Sequence, residues 1–140
     1  MLDANLLIYA SAQEMPQHDA ARAWLDERLA GIARVGLPWP SIVAYLRILA
    51  NPRLFERPVA VADSWGQVRA WLSAPGAWAP RPTERHPEIF AELLPEATRP
   101  ELIPDAHLAA LAIEHGLTLC STDGDFARFE GLRWENPLGR

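Results

Sequence analysis

The sequence predicts an α/β domain: a parallel sheet of about five short strands with helices on both faces. Three observations carry that reading. Short apolar runs of strand length alternate with longer runs of helical period along the chain. Glycine and proline punctuate most of the junctions. No internal repeat or low-complexity tract interrupts the alternation, so the crossovers should be right-handed. With 140 residues, 49% of them hydrophobic, the chain is read as one domain, residues 1–140, large enough for a real core.

Each element has its own local signal. Met1 and Leu2 open the first strand, which ends at Asp3; either that strand is brief or the chain starts further upstream. A helical run follows through Leu6, Leu7, Tyr9 and Ala10. Glu14 to His18 is a loop around Pro16. Ala21, Trp24, Leu25, Leu29 and Ile32 mark an amphipathic helix ending near Gly31. Val35 to Leu37 is the second strand, closed by Pro38-Trp39-Pro40. Ser41 is the expected N-cap of the next helix, with Ile42, Leu46 and Leu49 facing inward and Pro52 beyond its end. Val61, Trp65, Val68 and Leu72 form another amphipathic helix, closed by Pro75-Gly76. Ala77 to Ala79 reads as the third strand, and Arg81 to Pro87 as a polar surface loop. Ile89, Phe90, Leu93 and Leu94 give a helix ending at Pro95, and Thr98 to Pro104 a linker. Leu132 to Trp134, after Gly131, is the last strand.

The stretch Leu102 to Phe126 organises the rest. Asp105 opens a helix just after Pro104, and Leu108, Leu111 and Ala112 recur behind it at helical spacing. His115 places a cation in the last turn and Gly116 supplies the C′ glycine. Leu117 to Cys120 is a buried strand, and Ser121 to Asp125 are turn formers. In an open α/β sheet, chemistry collects at the carboxyl ends of strands. Asp3, Asp123 and Asp125 stand at such ends, and Asp105 at a helix N-terminus that can lie beside them. Carboxylates held close resist ionising unless a cation neutralises them. An all-oxygen set with no Cys or His partners suits Mg²⁺ or Mn²⁺ rather than Zn²⁺.

LDANLLIYA, PDAHLAALAIEHG and LTLCSTDGDFARF, with LPWPSIVAYLRILANPRLFERP between them and FEGLRWENPL at the end, together resemble a PIN domain over nearly the whole chain. Within that family the chain is similar to the VapC-type toxin ribonucleases of bacterial toxin–antitoxin pairs. The resemblance implies a three-layer PIN fold and a Mg²⁺-dependent endoribonuclease, with Mn²⁺ able to substitute. Such an enzyme hydrolyses phosphodiester bonds in exposed loops of tRNA or rRNA through a metal-activated water. It also implies a small VapB-type antitoxin partner and a homodimer. By the same match, Asp3, Asp105 and Asp123 are the catalytic, metal-holding acids, and Asp125 is a flanking fourth ligand.

The match is incomplete at one place. Most PIN domains carry a glutamate in the helix after the second strand, and here that slot falls on Tyr45, within SIVAYLR. A phenol is a poor Mg²⁺ ligand at neutral pH. Tyr45 is therefore expected to pack, or to hydrogen-bond a phosphate or water, and Asp125 becomes the first candidate to compensate. Arg47 is expected either to grip an RNA phosphate or to lie on a solvated helix face. Asn5 is expected to fix the first turn, and Thr122 to position an acid or a water through its hydroxyl. His107 and His115 read as surface or capping histidines.

Composition narrows the classes. The single cysteine, Cys120, forms no internal disulfide, no run is long enough for a membrane span, and a cytoplasmic setting is the natural inference. The net charge of −5 is wrong for holding nucleic acid by bulk electrostatics, so RNA contacts should be local. All 13 basic residues are arginine, which excludes catalysis by a lysine. A haloacid-dehalogenase-like phosphatase would want a lysine and an acid at Asn5. A PIN scaffold that binds RNA or its partner without cutting remains the alternative, because of Tyr45.

Overall fold

The structure, a computed structural model, describes residues 1–139. The elements run α1 (Ala4–Ser11), α2 (His18–Ala30), β1 (Val35–Gly36), α3 (Trp39–Leu49), α4 (Val61–Leu72), β2 (Ala77–Trp78), α5 (His86–Leu93), α6 (Ile103–Glu114), β3 (Thr118–Cys120) and β4 (Arg133–Glu135). Parallel pairs β1–β2 and β3–β4 flank the first two residues. Leu2 donates its N–H to Gly36 and forms a parallel bridge with Cys120, whose N–H returns to Met1. The sheet order is therefore β2, β1, Met1–Leu2, β3, β4. Met1–Leu2 is a central strand in all but length, and the chain reverses its direction of travel across the sheet between it and β3. That reversal is where α/β sheets open a crevice at their carboxyl ends.

Alternation along the central strands separates two cores. Leu2 and Cys120 join the core built by α1 to α4, whereas Met1 and Leu119 join the one built by α5 and α6. The three-layer architecture follows. Ala106, Ala109, Ala110 and Ala112 are fully buried, so α6 approaches the sheet closely with short side chains. Gly116 takes φ +66°, where a Cβ would be strained, and ends α6 as the sequence predicts.

Three local expectations need correcting. Pro38, not Ser41, precedes α3, whose first turn contains Pro40; proline's fixed φ suits that position. Ser41 is freed to donate its hydroxyl to the Leu2 carbonyl at 2.8 Å, tying α3 to the central strand. Ile32 lies beyond the end of α2 and is fully exposed. In α4 the inward stripe is Ser64, Val68 and Trp71, which shares only Val68 with the expected set. Val61 and Trp65 therefore face outward, Trp65 stacking on Trp39 with 6.3 Å between ring centres. An indole at the edge of a stripe can serve either face, so hydrophobic spacing alone did not decide the register.

Candidate active site

Asp3 leaves the central strand as the N-cap of α1, one carboxylate oxygen accepting the Ala4 N–H at 2.8 Å. Its other oxygen accepts the hydroxyl of Ser121 at 2.7 Å. Ser121 is completely buried and joins both strand ends: it also accepts the Asp123 N–H and the Asn5 side-chain amide, each at 3.0 Å. The Asn5 carbonyl oxygen in turn accepts the Thr122 N–H at 3.5 Å. Asp123 caps the 3₁₀ turn Gly124–Arg128 by accepting the Asp125 N–H at 2.9 Å. Asp105 lies half-buried in the first turn of α6, which begins two residues earlier, at Ile103.

These acids share one electrostatic environment. Burial, followed by the charges of Asp3, Asp123 and Asp125, raises the Asp105 carboxyl from near 3.8 to about 6, against the pull of Arg128. Burial also raises Asp3, with the Asp123 charge adding to it, while the bonds from Ser121 and the Ala4 N–H oppose the shift. Hard oxygen donors that repel one another this way fit a divalent cation. The fit is in the donor set and not in a closed cage. Among the described residues, no three His, Cys, Asp or Glu side chains are already gathered around a common point.

The remaining expected site residues fall elsewhere. Asp125 does not face the cluster as an unengaged carboxylate, because Arg128 holds one of its oxygens at 3.1 Å and Arg99 the other at 3.3 Å. Guanidiniums on both oxygens compete with metal ligation. Tyr45 is buried, its hydroxyl 2.8 Å from that of Ser11 at the far end of α1 and its ring against Trp71, so the structure does not bring it to the acids. Arg47 stands exposed near the end of α3 and makes none of the ion pairs among the described residues. Thr122 takes part through its backbone. His107 is not a plain surface residue: its Nδ1 lies 3.0 Å from His86 Nε2, and His86 Nδ1 lies 2.5 Å from Glu114. The expected loop Arg81 to Pro87 is shorter, because His86 and Pro87 already form the first turn of α5. Thr83 from the loop and His86 from the helix close over a buried carboxylate.

Sequence reasoning missed Ser121, Arg99 and Arg128. Ser121 carried a usable signal, since a serine two residues before an aspartate in a turn is placed to receive that aspartate's N–H. Arg99, far away in sequence, carried none.

A model of the family described as PIN domain matches residues 1–132. The chain belongs to the PIN-domain family. Ribonuclease VapC37 of Mycobacterium tuberculosis is 43% identical over 138 residues, covering 98% of this chain and 96% of the relative. Ribonuclease VapC33 of the same species is 39% identical over 137 residues, with 97% and 96% covered. VapC ribonuclease Mb2897 of Mycobacterium bovis is 38% identical over 138 residues, with 98% and 94% covered. This PIN protein thus falls in the VapC ribonuclease branch and is a nuclease of that branch. The fold also matches VapBC2 from Rickettsia felis, crystallised bound to a DNA fragment from its promoter. There the TM-score is 0.69 at 20% identity, with 97% of this chain and 96% of that one covered. No helix among the described residues is long and apolar enough to cross a membrane.

Proposed function

We propose that this PIN-domain nuclease is the toxin of a toxin–antitoxin pair: an endoribonuclease that hydrolyses phosphodiester bonds in exposed loops of structured RNA, tRNA or rRNA, with Mg²⁺ as its ion. The observation that carries the reading is the gathering of Asp3, Asp105 and Asp123 at the switch point of the sheet, with Asp3 and the Asp123 backbone tied to one serine, Ser121. Burial first, and then the neighbouring carboxylate charges, raise Asp105 to about 6. These three acids would hold the cation, which when bound supplies Lewis acidity and offsets charge on the scissile phosphate. Ser121 fixes Asp3 and the Asp123 backbone relative to one another, and Asn5 locks Ser121 in turn. The carboxylates, ionised once a cation is present, can accept a proton from an attacking water and orient it toward phosphorus. A cytoplasmic location, a VapB-type antitoxin and a homodimer complete the proposal. The antitoxin follows the VapBC2 assembly of the fold neighbour and the VapC kinship. The location and the homodimer are what the resemblance to the VapC-type toxins implies.

The test is cleavage of total bacterial RNA by the purified chain with Mg²⁺, Mn²⁺ or EDTA, beside Asp3→Asn. Discrete fragments that require metal and vanish in the variant are expected. No cleavage by a folded, antitoxin-free sample in any metal would favour the non-cutting scaffold. Tyr45, buried against Ser11 and Trp71, supplies no ligand in place of the glutamate, so the proposed site stands on Asp3, Asp105 and Asp123.

A further inference from the structure

We propose that Arg99 grips an RNA phosphate at the rim of the acid site, and that Asp125 is the positioning residue that holds Arg99 there. The proposal rests on the ribonuclease reading and names the residue through which substrate is held.

A count of donors separates the two guanidiniums on Asp125. A guanidinium has five N–H groups. Arg128 uses four of them inside the protein: Nε to the Asp125 carbonyl, Nη1 to the Glu96 carbonyl and the Thr98 hydroxyl, and Nη2 to the Asp125 carboxylate. It is a strut that fixes the turn and one oxygen of Asp125, and its side chain is 26% exposed. Arg99 uses two, Nε to Glu101 at 2.9 Å and Nη2 to Asp125 at 3.3 Å, and its side chain is 48% exposed. Both hydrogens of Nη1 and one of Nη2 are unused among the described residues, enough for a two-point grip on a phosphate.

Its place and charge make RNA the fitting occupant. Arg99 is bonded to Asp125, whose own N–H is held by the Asp123 carboxylate at 2.9 Å, so a phosphate on Arg99 would be near the nucleotide at the acids. A chain of net charge −5 repels a polyanion at long range, and affinity must come from cations held locally. Two carboxylates, Glu101 and Asp125, fix the guanidinium before substrate arrives, so less freedom is lost on binding. Asp125 in this role is a brace for arginine, consistent with its two guanidinium partners.

The experiment measures anisotropy of a labelled single-stranded RNA on the full chain in Ca²⁺, KM and kcat in Mg²⁺, and Mn²⁺ affinity by calorimetry. Arg99→Ala should raise Kd and KM about tenfold and lower the salt slope by about one, with kcat within about threefold. Arg99→Lys should recover only part, since lysine cannot make the fork. Asp125→Asn should raise KM as well, add nothing on the Arg99→Ala background, and leave Mn²⁺ affinity at the wild-type level. Arg99→Ala binding RNA as tightly as wild type would overturn the proposal. Loss of Mn²⁺ affinity in Asp125→Asn would overturn the role given to Asp125. A wild-type chain that binds RNA without cutting it would defeat the nuclease reading alone, leaving Arg99 to be judged on binding. A wild-type chain that binds no RNA would defeat both.

Discussion

Helix α6 carries a carboxylate near each end, and the two live in opposite surroundings. Glu114, at its last position, is buried with a complete set of donors: the Thr83 N–H at 2.6 Å and His86 Nδ1 at 2.5 Å, with His107 behind His86. Asp105, in the first turn, lies in the field of Asp3, Asp123 and Asp125, and the cation that opposes them among the described residues, Arg128, is already committed to Asp125. A satisfied buried charge fastens loop to helix. A half-buried one set among like charges is held against its own preference by the rest of the fold, and such a raised carboxyl marks a candidate site for a ligand.

The sharpest way to break this contrast is to neutralise each carboxylate. Asp105→Asn should cut RNA cleavage by more than about a hundredfold, because a cation-holding charge is lost. Its melting temperature should stay level or rise, since a repelling charge leaves. Cleavage kinetics beside a thermal melt check both, and wild-type activity in this variant would remove Asp105 from the site. Glu114→Ala should do the reverse. Opening a buried pair leaves His86 and the Thr83 N–H unpaired, at about 3 kcal/mol, while activity per folded molecule holds. Chemical denaturation measures the loss, and a value below about 1 kcal/mol would show that the pair is not a fastening.

A third prediction uses pH. The folded Asp105 carboxyl is raised to about 6 from near 3.8, so between these values the folded state binds more protons than the unfolded one. Stability without metal is therefore greatest at and below pH 4 for this group and is lost as pH rises through 6. After discounting for the exposure of Asp105, the loss is about 1 kcal/mol. Melts in EDTA should show it, Mn²⁺ should abolish it, and Asp105→Asn should flatten it. The smallest effect belongs to Tyr45→Phe. Losing the bond to Ser11 should cost about 1 kcal/mol and change cleavage less than about threefold. A much larger drop in cleavage would return Tyr45 to the active site.

What was legible from residues alone was whatever local pattern determines. Strand and helix alternation, the Gly116 stop, and the placing of Asp3 and Asp123 at strand ends all follow from period, caps and turn chemistry within short windows. Those rules give the architecture and the ends where carboxylates gather. Register within a stripe was less legible: Trp65 and Trp71 both suit a helix face, and only packing against Tyr45 of α3 decided that Trp71 goes in. Non-local pairing was not legible at all. That Ser121 bridges Asp3 and Asp123, that Arg99 reaches Asp125, and that His86 finds Glu114 are facts about residues distant in sequence. Hydrogen bonds of this kind depend on where the sheet and α6 set the backbone. The sequence by itself determined which chemistry the chain could carry; the tertiary structure decided which charges are satisfied and which are left waiting.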